Sequence, residues 1–118
     1  AAAVAVASIL APHGAAAARP GAVIFEASCA ACHAGGGNVV ARGKTLDRAA
    51  LVANDAEDVE TIVRLGRKQM PGFGEACAPK PACTFGARLS DDDVAAVARF
   101  VEARADDGQW SAGPGAGP

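Results

Sequence analysis

The chain has 118 residues and a formal net charge of −2, which leaves room for one domain. So small a charge argues against nucleic acid as a partner, and no segment forms a basic arm or a phosphate-binding glycine loop. Hydrophobic residues make up 51% of the chain, but aromatic residues make up only 4% of it. The side chains therefore supply a small hydrophobic core, to which a bound hydrophobic cofactor would add apolar surface.

Residues 1–18 are rich in alanine and carry no charged side chain. The apolar run over residues 1–11 is shorter than the roughly 20 residues that span a bilayer. Its length, and the small residues that follow, are typical of an export signal with its cleavage site. We therefore interpret residues 1–18 as the remnant of a targeting peptide and residues 19–110 as the folded domain. The alternative for 1–18 is a short Ala-rich helix, and 111–118 (SAGPGAGP) is expected to be a disordered tail.

Four segments predict helices, and no segment alternates with a period of two, so we expect an all-α fold. In chain order they are GAVIFEASCA, TLDRAALVAN, EDVETIVRLG and residues 91–105. The first contains a β-branched pair, which makes its helix propensity ambiguous. Thr45 is a possible N-cap of the second, and Gly66 is a left-handed C-cap of the third.

The last helix has the clearest boundaries. From Val94 to Val101 apolar residues recur at i, i+3, i+4 and i+7, the spacing of one buried helix face. Ser90 can cap the helix with Asp93 as the acid of a capping box, and Leu89 can pack onto Val94.

The sequence CAACH places Cys29, Cys32 and His33 in the C-x-x-C-H pattern of covalent haem attachment. Two thiols at this spacing match the two vinyl groups on one edge of a porphyrin, and the histidine can then ligate the iron. A thioredoxin-type dithiol would need a βαβ context, which is absent. A zinc site would have to include Cys77 and Cys83, which lie six residues apart where two to four are usual.

The single methionine, Met70, is the candidate for the second axial ligand. It lies in KQMPGFG, where proline and glycine predict a loop, and the other histidine, His13, falls in the targeting segment. A thioether opposite an imidazole closes the iron to oxygen and gives an electron carrier. The alternative is that Met70 only fills the core.

The motifs CAACHAGGGNVV, KTLDRAAL, MPGFG, LSDDDVAAVARFV and GQW resemble those of the cytochrome c6 family, within the class I cytochrome c fold, over residues 20–110. In that pattern Gly21 and Phe25 lie where the first helix crosses the last, with Phe100 as the aromatic partner. The insertion EACAPKPACTFGAR resembles that of the A-type cytochrome c6 of green algae and plants.

The resemblance implies about four helices around one covalent haem c, with His33 and Met70 on the iron. Where ordinary members carry a glutamine eight residues before the methionine, this chain has Ile62, and A-type proteins have lower potentials. The resemblance also implies a disulfide between Cys77 and Cys83, which either constrains the loop or exchanges with lumenal dithiols.

We therefore expect a monohaem, one-electron carrier in the chloroplast thylakoid lumen, with low potential and a redox or regulatory role. The alternatives are an oxidant of protein dithiols, a redox sensor, and an ordinary donor to photosystem I. Arg64, Arg67 and Lys68 are candidates for docking a redox partner or are simply solvated. We expect a monomer that is not an enzyme and does not insert into membranes.

Overall fold

The computed structural model describes residues 19–110; the predictions for residues 1–18, His13 included, and for 111–118 lie outside them. The elements are helices α1 (Gly21–Ser28), α2 (Ala30–His33), α3 (Arg48–Ala53), α4 (Val59–Leu65) and α5 (Asp91–Asp107), and strands β1 (Gly66–Arg67) and β2 (Met70–Pro71). Short 3₁₀ turns lie at Ala34–Gly36 and Lys80–Ala82. The all-α class is confirmed, and the two strands form a small antiparallel hairpin.

Helix α5 begins where the sequence predicts and ends two residues later than predicted. The Ser90 hydroxyl accepts a hydrogen bond from the Asp93 N–H at 3.1 Å, which confirms the N-cap. The Asp93 carboxylate pairs with Arg19 at 3.0 Å, so it ties the beginning of the described chain to this helix. Gly108 ends the helix in the left-handed conformation, with φ of 68°.

Helices α1 and α5 cross at a glycine, as predicted. A Cβ atom at Gly21 would lie 2.5 Å from the Ala96 carbonyl oxygen and 2.6 Å from the Phe100 Cβ. Phe25 and Phe100 pack with their ring centroids 5.4 Å apart, and Trp110 completes the group at 5.3 Å from Phe25. The absence of a side chain at Gly21 therefore lets the two helices approach and bring the aromatic rings together.

One predicted helix cap was wrong, and a second was right in its position but not in its full backbone conformation. Helix α3 is capped by Asp47, whose carboxylate accepts from the Ala50 N–H at 3.1 Å, while Thr45 donates its hydroxyl to Asp47. A carboxylate can satisfy the N–H groups at a helix start as well as a hydroxyl can, and Asp47 is closer to the first turn. Gly66 ends α4 as predicted, and its N–H donates to the Ile62 carbonyl. Its φ of 82° is positive, but its ψ of 168° is not left-handed helical, because the chain turns there into β1.

The long segment after the hairpin is held by backbone pairing. Gly72 and Cys83 form a parallel bridge, and Gly74 and Leu89 form another. The Phe73 N–H donates to the Val63 carbonyl at 2.8 Å, which ties the segment to α4. These two bridges and the bond to α4 explain how a long irregular segment is held in place in a small domain.

Candidate haem site

The five predicted site residues come together in one place. Cys29, Cys32, His33, Ile62 and Met70 all line a cavity of about 520 Å³. They belong to three separate parts of the chain, namely the region around α2, helix α4 and strand β2. The fold therefore places both cysteines and both candidate iron ligands around one volume.

His33 is oriented by a backbone carbonyl. Its Nδ1 lies 2.7 Å from the Gly37 oxygen, and since a carbonyl only accepts, Nδ1 carries the hydrogen. That bond leaves the lone pair on Nε2, the nitrogen that a metal would use. The structure thus identifies the Gly37 carbonyl as the group that orients the imidazole. Gly36 has φ of 78°, and a Cβ atom there would lie 2.6 Å from the Trp110 ring, so only a glycine fits at this contact.

Met70 is presented by the β1–β2 hairpin. Arg67 pairs with Met70, so the turn consists of Lys68 and Gln69, and Lys68 has φ of 55°. Met70 is partly buried and packs against the core. The expected loop is therefore a short hairpin with a fixed register. Met70 contacts the core and also lines the cavity.

Cys29 and Cys32 are free thiols. Burial, with a further contribution from Cys32, raises the pKa of the Cys29 thiol to about 11. The other two cysteines are joined in a disulfide, Cys77–Cys83, with the Cα atoms 6.0 Å apart. The four-cysteine zinc arrangement is thus not formed, and no cluster of three or more metal-binding side chains occurs within residues 19–110.

The rest of the cavity wall is mainly apolar, and part of it comes from the core. The core residues in the wall are Phe25, Leu51, Val59, Val63, Phe73, Val97 and Val101. A flat, largely hydrophobic macrocycle that bonds two thiols and carries a metal with two axial positions needs such a wall, with thiols, an imidazole and a thioether on it. The residues present therefore fit a covalently attached haem.

Three cations also line the cavity: Lys44, Arg67 and Lys68, which we call the cationic rim. The ammonium group of Lys68 lowers the pKa of Lys44, so these two cations lie close together. Arg64, which the sequence groups with Arg67 and Lys68, instead pairs with Glu60 at 2.8 Å and lies 3.6 Å from Asp91.

Sequence reasoning missed Lys44 because it lies more than 20 residues before the other two cations of the rim. It named the insertion but did not single out Phe85, which is fully exposed beside the cavity-lining Thr84. A large hydrophobic residue two positions after the second cysteine of a Pro-rich loop was the available signal.

Comparison with known proteins finds one matching family model and several cytochrome c6 relatives. Residues 16–101 match the family model described as cytochrome C oxidase, cbb3-type, subunit III. The chain is 43% identical over 91 residues to chloroplastic cytochrome c6 of Arabidopsis thaliana, covering 75% of this chain and 52% of that protein, so it spans about half the relative's length. It is 46% identical to cytochrome c6 of Microcystis aeruginosa, with 75% of this chain and 98% of the relative covered.

A solved structure agrees with these relatives. Reduced cytochrome 6A of Arabidopsis thaliana superimposes with a TM-score of 0.73 at 42% sequence identity, covering 76% of this chain and 93% of that one. The class I cytochrome c fold is therefore confirmed, together with the cavity that suits its cofactor. The chain belongs to the cytochrome c6 family of electron-transfer proteins, whose members bind one haem c covalently.

Proposed function

We propose that the chain is a one-electron carrier whose haem is attached through Cys29 and Cys32 and ligated by His33 and Met70. The observation that supports this most directly is that all four side chains line one cavity. When bound, the haem iron supplies reversible one-electron transfer. No substrate-converting step is needed, and so we propose a carrier and not an enzyme.

The chain's own residues prepare this site for electron transfer. The hydrogen bond from His33 Nδ1 to the Gly37 carbonyl fixes the imidazole plane and makes Nε2 a more basic ligand for a metal. Met70 offers a soft thioether, which favours the ferrous state relative to a second nitrogen ligand. The apolar wall, including Val59 and Val63, keeps water from the metal.

We assign a low potential to this carrier, and Ile62 is the candidate cause. It is half-buried and lines the cavity at the position where ordinary cytochrome c6 carries glutamine. An alkyl side chain there offers the cofactor no amide dipole. A low potential would favour a redox or regulatory role over the ordinary transfer of electrons to photosystem I.

We further propose that the disulfide is structural. The side chains of Cys77 and Cys83 are only 7% and 3% exposed, so a thiolate from another protein cannot reach either sulfur without local opening. The alternative role, oxidation of lumenal dithiols, requires such an attack. Burial therefore supports constraint of the loop as the function of this bond.

For location, we propose the thylakoid lumen of a chloroplast. The Arabidopsis relative is named as chloroplastic, and an intact disulfide suits an oxidising compartment. Within residues 19–110, no helix has the length and apolar character to cross a membrane. We propose that residues 19–110 act as a monomer that meets its redox partners at the cavity mouth, through Arg67 and Lys68.

The test is a potentiometric titration of the protein matured with haem, followed at its visible bands. We expect covalent haem and a midpoint well below that of a photosystem I donor, and a higher midpoint in Ile62→Gln. The matched control is Ile62→Leu, which adds no dipole and should leave the midpoint nearly unchanged. Absence of covalent haem would refute the proposed function, and a high midpoint in the natural protein would make it an ordinary donor.

A further inference from the structure

Phe85 differs from the other three phenylalanines of the chain. Phe25, Phe73 and Phe100 pack in or against the core, whereas the side chain of Phe85 is fully exposed at 101%. An exposed benzyl group gains nothing for folding, because its apolar surface stays in water.

The backbone around Phe85 is nevertheless fixed. On one side, the Thr84 N–H donates to the Gly72 carbonyl at 2.9 Å. On the other, the Gly86 N–H donates to the Thr84 hydroxyl at 3.1 Å, and the disulfide closes the loop just before it. The backbone hydrogen bonds and the disulfide therefore fix the loop that exposes Phe85, and so this loop would lose little conformational entropy on binding a partner.

Phe85 also directly follows a residue of the cavity wall. Its neighbour Thr84 lines the cavity, as do the three members of the cationic rim. Within residues 19–110, none of these three cations forms an ion pair with a carboxylate. The guanidinium of Arg67 donates to the Asp55 backbone carbonyl at 2.8 Å, which holds it in place but leaves its charge uncompensated.

The cationic rim is positively charged, whereas the chain as a whole is negatively charged. The net charge is −2, yet Lys44 and Lys68 lie close enough that one lowers the pKa of the other. Placing like charges together is unfavourable unless an anion meets them. Such a local patch steers an oppositely charged partner even when the net charge would repel it.

We propose that Phe85 and the cationic rim form one docking surface for an acidic redox protein, with Phe85 entering an apolar depression on the partner and the rim meeting its carboxylates. This rests on the proposed electron-carrier function. Exposed aromatic anchors next to charged residues are the usual centres of binding energy at protein interfaces. The cations set the encounter rate and Phe85 fixes the orientation that brings the two cofactors close.

The experiment measures second-order rate constants by stopped flow with two probes. Hexacyanoferrate(III) takes one electron from the ferrous haem protein, and reduced flavodoxin, an acidic protein, gives one electron to the ferric haem protein. For the natural protein we expect both rate constants to fall as salt is added, although the net charge of −2 predicts the opposite for an anionic probe. Lys44→Gln with Lys68→Gln should lower both rate constants at low salt by about tenfold. Arg99→Gln, on α5 and outside the cavity wall, should leave them nearly unchanged.

Phe85→Ala should lower the flavodoxin rate constant by about fivefold while leaving hexacyanoferrate unaffected, because a small ion needs no apolar anchor. Val23→Ala, which removes another exposed apolar side chain outside the cavity wall, is the control. Equal flavodoxin rates in Phe85→Ala and Val23→Ala, or rates that rise with salt, would overturn the proposal. Failure to exchange electrons even with hexacyanoferrate would instead refute the carrier function itself.

Discussion

The N–H of Gly72 donates a 2.9 Å hydrogen bond to the carbonyl oxygen of Ala82. Gly72 follows Met70 by two residues, and Ala82 precedes Cys83, so this bond joins the methionine hairpin to the disulfide loop. A Cβ atom at Gly72 would lie 2.6 Å from the Cys77 sulfur, which leaves no space between them. The disulfide therefore supports the segment that presents Met70.

Replacing both Cys77 and Cys83 by serine should lower the free energy of unfolding by about 2 kcal/mol, since the bond closes a short loop. It should also weaken the far-red absorption that reports sulfur ligation of ferric haem, because the support behind Met70 is lost. Urea unfolding and the visible spectrum measure the two effects. Lys80→Ala in the same loop is the control, and a double variant as stable as this control would contradict the prediction.

Replacing Met70 by alanine should lower the midpoint potential and open the ferric haem to added imidazole, because the thioether is lost. Redox titration and imidazole binding followed by absorption test both effects. Gln69→Ala, the neighbouring turn residue, should leave the iron closed. If Met70→Ala retained the spectrum of the natural protein, Met70 would be a core residue and not a ligand.

Replacing Gly21 by alanine should destabilise the fold by about 2 kcal/mol, because the added methyl group would press on the Ala96 carbonyl and separate α1 from α5. The comparison is Gly86→Ala, where the nearest atom, the Thr84 hydroxyl oxygen, is 3.5 Å away. Urea midpoints that shift equally in the two variants would show that the helix crossing does not depend on Gly21.

Asp47 should make the stability depend on pH. Hydrogen bonds from the Thr45 hydroxyl and the Ala50 N–H lower the pKa of Asp47 in the folded protein. The stabilisation is thus complete above the pKa of the unfolded state and is lost as the pH falls through the lower folded value. Asp47→Asn keeps an N-cap but cannot titrate, so its urea midpoint should fall less between pH 5 and pH 3. Parallel curves for the two proteins would contradict this assignment.

The sequence by itself determined the local features of this protein. The start of α5 follows from Ser90 and its buried face from the apolar repeat, because caps and periodicity act within a few residues. The C-x-x-C-H motif and the lone Met70 identified the site by their chemistry, and the resemblance supplied the Phe25–Phe100 contact that the structure confirms. Where two capping residues competed, as Thr45 and Asp47 did, local pattern alone chose wrongly.

Only the tertiary structure decided which distant residues meet. It placed Lys44 beside Lys68 and brought both cysteines of the motif to the same cavity as Met70. It also brought Asp91 to within 3.6 Å of Arg64 and left Phe85 exposed beside the cavity-lining Thr84. These outcomes depend on how helices and loops pack, since long-range contacts are fixed by the summed shape and burial of the whole core. No short window of sequence carries that information.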